Sequence, residues 1–131
     1  MKKTLSVKTE RRIQLKDVTR QIQEALNETG IQDGICVVYN PHTTAGLAIN
    51  EDADPDVARD LESAFEALVP SVPFRHSEGN SPAHFLCCTT NHSLQILVEG
   101  GQLQLGRWQG VYFCEFDGPR HRQLWVKTIG A

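Results

Sequence analysis

Three of the five histidines in this 131-residue chain stand among polar residues able to hold a metal or move a proton. His42 follows an apolar run in NPHTTAGLAINED, residues 40–52, beside the hydroxyls of Thr43 and Thr44 and ahead of Asn50 and Glu51. His76 and His84 lie eight residues apart in FRHSEGNSPAH, residues 74–84, which also carries Glu78 and Asn80. A glycine-containing loop can turn both imidazoles toward one point, although their separation is not a named zinc spacing such as H-E-x-x-H. Three neutral imidazoles with one open position make a catalytic zinc arrangement, in which Glu78 would be a base or would orient a ligand. The plainer alternative is that these are loop histidines in water.

A third polar group joins LGRWQ, residues 105–109, to EFDGPRHR, residues 115–122. Trp108 beside Gln109 reads as turn chemistry as readily as a binding surface. Arg120 has two readings: its guanidinium suits bidentate capture of a phosphate, or it pairs with Glu115 or Asp117 and steadies the turn. Asp54 and Asp56 are explained by capping at a helix N-terminus. His92 and His121 have no polar cluster around them and read as surface positions.

The elements that must position these groups are legible in outline. TLSVKT and RRIQLK alternate apolar and polar residues as half-buried strands do. Asp17 caps a helix carrying Val18, Ile22, Ala25 and Leu26 at helical spacing, with Gly30 as its stop. GICVVYN is apolar on both faces, which places it centrally in a sheet. Asp54 and Pro55 start a second helix with a stripe of Val57, Leu61, Ala64, Phe65 and Leu68, ended by Pro70 and Pro73. AHFLCCTTNH is ambiguous between helix and strand. SLQILVE, a short QLQLG, GVYFCEF and RQLWVKTI read as strands, with turns at Gly100–Gly101 and Asp117–Pro119. Strands that do not alternate regularly with two helices predict an α+β domain with largely antiparallel, sandwich-like sheets, one domain over 1–131.

Bulk properties narrow the function. The net charge of −3, with both signs dispersed, argues against a nucleic-acid binder acting through a broad basic face. No segment approaches a membrane span, and MKKTLSVKTERRIQL lacks the apolar run of a signal peptide. Cys36, Cys87, Cys88 and Cys114 form no C-x-x-C pair and read as reduced thiols of a cytoplasmic protein.

Taken together, HTTAGLAINED, HSEGNSPAH and LGRWQG with EFDGPR resemble, in order and spacing, the YjbQ-like family, often called secondary thiamine-phosphate synthases. The similarity runs from about Ser6 to Gly130. The resemblance implies a small cytoplasmic α+β homotrimer with a site near the subunit boundaries. It further implies a low thiamine-phosphate synthase activity, joining a pyrimidine diphosphate to a thiazole phosphate with release of pyrophosphate. On matching positions, His42, His76 and His84 would hold a divalent metal, zinc-like or, with a diphosphate substrate, magnesium. Asn50, Glu51, Glu78 and Asn80 would be catalytic, while Arg120, Thr43, Thr44, Trp108 and Gln109 would bind a small phosphorylated molecule. Arg107 and Pro82 depart from the family pattern, where a threonine and an acidic residue are usual. Two other classes fit the same residues: a non-enzymatic metal- or anion-binding trimer, and a metal-dependent hydrolase with Glu78 or Glu51 as base. Neither a nucleic-acid nor a membrane partner is expected.

Overall fold

The computed structural model describes all residues from Met1 to Ala131. In chain order the elements are β1 (Lys3–Lys8), β2 (Gln14–Asp17), α1 (Thr19–Thr29), β3 (Gly34–Tyr39), β4 (Ala45–Glu51) and α2 (Pro55–Leu68). They continue with α3 (Ser81–Cys88), β5 (Ser93–Glu99), β6 (Gln102–Leu103), β7 (Gln109–Glu115) and β8 (His121–Gly130). The expected α+β class is what the chain adopts. A five-stranded sheet runs β1-β8-β3-β5-β6 and a three-stranded sheet runs β2-β7-β4, with every pair antiparallel.

The helix boundaries follow local chemistry. Asp17 Oδ1 accepts from the Thr19 amide at 2.9 Å and the Thr19 hydroxyl at 2.6 Å, so α1 begins two residues after the aspartate. Gly30 ends it in the left-handed conformation, φ 71°, which costs a residue without Cβ little. At α2, Asp54 accepts from the Asp56 amide with Pro55 in the first turn, as its sequence predicts. The ambiguous AHFLCC segment is helical.

Two apolar clusters divide the interior. The larger packs Ile22, Ala25 and Leu26 of α1 between the inner face of the five-stranded sheet (Cys36, Val38, Ile96, Val98, Leu124, Val126) and Leu47, Val111 and Phe113 of the smaller sheet. The second lies on the other side of the smaller sheet, where Leu15, Tyr112, Cys114 and Phe116 meet Ala83 and Leu86 of α3 and Leu61 and Phe65 of α2. The outer face of the five-stranded sheet carries no helix, leaving Ile35, Leu97 and Ile129 in water.

The main departure from the sequence reading is β4. The sequence pattern assigns no regular element to residues 40–52, yet Ala45–Glu51 pairs residue for residue with β7, from Ala45 opposite Glu115 to Glu51 opposite Gln109. Ala45, Gly46 and Ala48 give this strand no bulky alternation, so pairing with the buried β7 forms it rather than local propensity. Gly46 allows close approach as expected, but of protein: a Cβ there would stand 1.7 Å from Thr90 Oγ1. No helix is long and apolar enough to cross a membrane.

Candidate functional site

The β4–β7 pairing separates the candidate residues into two groups at opposite ends of the smaller sheet. His42, Thr43, Thr44, Asp117 and Arg120 lie at one end; Asn50, Glu51, Trp108 and Gln109 lie at the other. Seven residues of strand put roughly 20 Å between the ends. Asn50 and Glu51 therefore do not share a pocket with His42 within one chain.

At the first end the loop after α2 brings His76 and His84 together, ring centroids 5.5 Å apart and nearly perpendicular. Glu78 lies 3.9 Å from His76 Nε2. Asn80, just ahead of α3, donates through Nδ2 to Asp117 Oδ2 at 3.0 Å, while its buried Oδ1 receives no donor. Asp117 Oδ2 also accepts from Arg120 Nη2 at 2.9 Å, and Arg120 Nε donates to the Asp117 carbonyl at 2.7 Å. One carboxylate oxygen thus joins the histidine loop to the arginine of the turn. Of the two readings of Arg120, the pairing with Asp117 is formed; Glu115 is not its partner.

His42 stands differently from what the three-histidine expectation requires. Its Nε2 accepts from the Gln123 amide at 2.9 Å, taking the place of a strand partner where β3 has run out beside β8. A neutral imidazole with Nε2 accepting carries its proton on Nδ1, so neither nitrogen is free to ligate. No group of three or more His, Cys, Asp or Glu side chains is arranged to hold a metal ion. The single chain therefore offers a zinc-like ion two imidazoles, His76 and His84, and the expected third ligand is engaged elsewhere.

Burial, and then the positive charge of Arg122, lower the His42 pKa below its ordinary value. The unfolded chain then binds this proton more readily, so stability contributed by neutral His42 is present above about pH 6.5 and is lost as pH falls. A melting-temperature series from pH 7.5 to 5 should show this decline, and His42→Gln should flatten it.

Thr44 has likewise been claimed by the fold. Its Oγ1 accepts from Arg122 Nη2 at 2.9 Å, and its carbonyl accepts from the Phe116 amide at 3.2 Å. Thr43 remains exposed. Arg122 and Glu115 form a buried, two-pronged ion pair, with Arg122 Nε donating to Glu115 Oε1 at 2.8 Å and Nη2 to Oε2. Burial alone would raise the Glu115 carboxyl, yet Arg122, the Asp117 amide and the Thr9 hydroxyl together hold it below the usual range. The sequence does signal this pair: Arg122 shares period-two spacing with buried Leu124 and Val126, and Glu115 ends an apolar run.

At the other end, Gln109 Oε1 accepts from the Gly106 amide at 2.8 Å, so its carboxamide closes the turn. Trp108 is exposed, with the Arg107 guanidinium 4.9 Å from its ring centroid. The departure at Arg107 therefore covers an indole with a cation. Asn50 Oδ1 accepts from the Glu51 amide at 2.8 Å, and the Glu51 carbonyl accepts from the Tyr112 hydroxyl at 2.9 Å. Cys36, Cys87 and Cys114 are buried free thiols and Cys88 an exposed one; burial pushes Cys114 up to about 12.

Comparison with known proteins agrees over the whole chain. The family described as UPF0047 protein YjbQ-like matches residues 3–131. The UPF0047 protein YugU of Bacillus subtilis is 48% identical over 99% of this chain and 100% of its own length. A UPF0047 protein of Methanocaldococcus jannaschii is 46% identical over 95% of this chain and 91% of its own. Among solved structures, a YjbQ/UPF0047 family protein from Clostridium acetobutylicum superposes with TM-score 0.92 at 48% identity, covering 97% of this chain and 99% of that one. A hypothetical protein from Aeropyrum pernix gives TM-score 0.93 at 40% identity, covering 100% and 99%.

Proposed function

Because the chain belongs to the YjbQ-like UPF0047 family, we propose that it acts on a small phosphorylated molecule at the His76–His84 corner, in a thiamine-phosphate synthase-like reaction. That reaction breaks a carbon–oxygen bond of a pyrimidine diphosphate, forms a carbon–nitrogen bond to a thiazole phosphate and releases pyrophosphate with the bonding electron pair. The observation that carries the reading is the shared Asp117 oxygen, which holds Asn80 and Arg120 together beside two imidazoles. The corner offers guanidinium, imidazole and amide donors to phosphate oxygens.

Each residue has a defined task. Arg120 grips a phosphate by leaving Asp117, an exchange with little penalty because both partners are reached by solvent. Asn80 orients Asp117, and Glu78 puts a negative charge 3.9 Å from His76 Nε2. A divalent ion, zinc-like by imidazole preference, would be held by His76 and His84 and would neutralise charge on departing pyrophosphate. Asn50, Glu51, Trp108 and Gln109 serve this chemistry only if a second copy supplies them, which fits a homotrimer of cytoplasmic location.

The test is turnover of the pyrimidine diphosphate and thiazole phosphate pair beside a panel of phosphate esters, together with Arg120→Ala. That variant should bind inorganic pyrophosphate about tenfold to a hundredfold more weakly. Its melting temperature should move by only a few degrees, since an exposed ion pair contributes about 1 kcal/mol or less. Pyrophosphate affinity equal to the parent's would remove Arg120 from the site. Hydrolysis of esters without condensation would assign the corner to a hydrolase.

A further inference from the structure

The turn that carries Asp117 and Arg120 is held by groups outside it. Within residues 117–120, Pro119 has no amide hydrogen, and each of the other amides donates to a different partner. Asp117 donates to Glu115 Oε2 at 3.0 Å, Gly118 to the Arg12 carbonyl at 3.1 Å and Arg120 to Thr9 Oγ1 at 2.9 Å. The Thr9 hydroxyl in turn donates to Glu115 Oε1 at 2.7 Å, and the Thr9 amide donates to the Arg120 carbonyl at 2.9 Å. Thr9 is 2% exposed, so these bonds are made out of reach of water. One buried carboxylate thus holds the start of the turn directly and its end through a threonine.

The backing of the turn is equally firm. A Cβ on Gly118 would stand 2.1 Å from the Arg11 carbonyl oxygen and 2.8 Å from Glu115 Cγ, so the turn lies against the loop between β1 and β2. That loop is fastened to α2, where Arg11 forks onto both Glu62 oxygens at 2.8 and 3.1 Å. Glu62 also accepts from the Leu15 amide at 2.8 Å. The side chains of the turn are the opposite case. Arg120 is half exposed, and its partner Asp117 belongs to the same turn. A fixed main chain with a free guanidinium suits phosphate capture, because ordering the chain at the moment of binding would be subtracted from affinity.

We propose that Thr9 is the positioning residue for phosphate capture at this corner. Its hydroxyl fixes the Arg120 backbone on the buried Glu115 carboxylate, so that only the guanidinium moves when a phosphate replaces Asp117 as its partner. The role belongs to the hydroxyl rather than to the shape of the side chain. Valine fills nearly the same space but offers the Arg120 amide no acceptor and Glu115 no donor. The turn is then free to shift, and a misplacement of about 1 Å costs up to about a hundredfold. This inference rests on the phosphate reading of the corner given above and adds the residue through which Arg120 acts.

Calorimetric titration with inorganic pyrophosphate tests it on Thr9→Val and Thr9→Ser, well below the melting temperature of each protein. Thr9→Val should weaken binding about tenfold, whereas Thr9→Ser, which keeps the hydroxyl, should stay within about threefold of the parent. Added to Arg120→Ala, Thr9→Val should weaken it no further, because Thr9 acts through the guanidinium. Equal losses in both backgrounds would show a general loosening of the fold and overturn the proposal. The parent alone supplies a further measurement. Its Arg120 amide should exchange slowly with deuterium before pyrophosphate is added, since Thr9 already holds it. Protection that appears only with pyrophosphate would show that the ligand orders the turn, against the proposal. A Thr9→Val protein that binds as tightly as the parent would remove the positioning role while leaving Arg120 in the site. A parent that does not bind pyrophosphate would overturn both readings.

Discussion

Arg122→Ala is expected to lower the melting temperature by roughly 10–20 °C, the largest stability loss of any single polar substitution in this chain. Truncating the guanidinium leaves the Glu115 carboxylate buried, with the Thr9 hydroxyl and Asp117 amide as its remaining donors. An uncompensated buried charge costs about 3–5 kcal/mol, whereas the exposed Arg120–Asp117 pair two residues away costs about 1 kcal/mol or less. Replacing both partners by apolar residues of similar volume, Arg122→Met with Glu115→Leu, should recover most of the loss. The pH dependence has a definite sign. Glu115 is held below its ordinary value, so its stabilisation is present above about pH 4.5 and disappears as pH falls through the folded value. Thermal denaturation of the two single variants and the double variant checks this. A melting point for Arg122→Ala within about 3 °C of the parent would show that the pair is not held as described.

The second large effect is on function. His84→Ala should reduce retention of zinc by at least about a hundredfold, because one of two imidazoles at the corner is lost. His76→Ala should do the same, since the proposed site needs both rings, whose centroids lie 5.5 Å apart. His42→Ala should leave zinc retention almost unchanged, because its Nε2 is already bonded to the Gln123 amide. Metal analysis after dialysis against a weak chelator reads all three. Equal loss in the His42 variant would show that assembly frees its ring to join the other two. Equal retention in all four proteins would place the metal elsewhere.

That expectation differs from the one the sequence alone supports: the Gln123 amide of β8 occupies His42, and β4 separates Glu51 from it. Residues 45–51 lack the bulky alternation that marks a strand, so His42 and Glu51 look like neighbours in a loop, when a whole strand lies between them. The fold was otherwise readable where side chains state their surroundings: the Asp54–Pro55 start of α2, the Gly30 stop of α1, and β3 as a central strand. At the site, the meeting of His76 and His84 was readable because the glycine-containing loop constrains it. The occupation of His42 and Thr44 was not, since both depend on β8, some eighty residues further along. Neither hydrogen bond has a local signature.

β7 has a consequence for how the molecule comes apart. Its alternate residues enter different interiors, Val111 and Phe113 on one side and Tyr112, Cys114 and Phe116's neighbourhood on the other. Neither interior can lose its order while β7 stays in place, and neither can keep it once β7 leaves. The two layers on either side of the smaller sheet should therefore melt as a single cooperative unit, with coincident far-ultraviolet and tryptophan transitions. Amides of β7 should be the last to exchange with deuterium, at the free energy of global opening, while those of residues 71–79 exchange at once in the isolated chain.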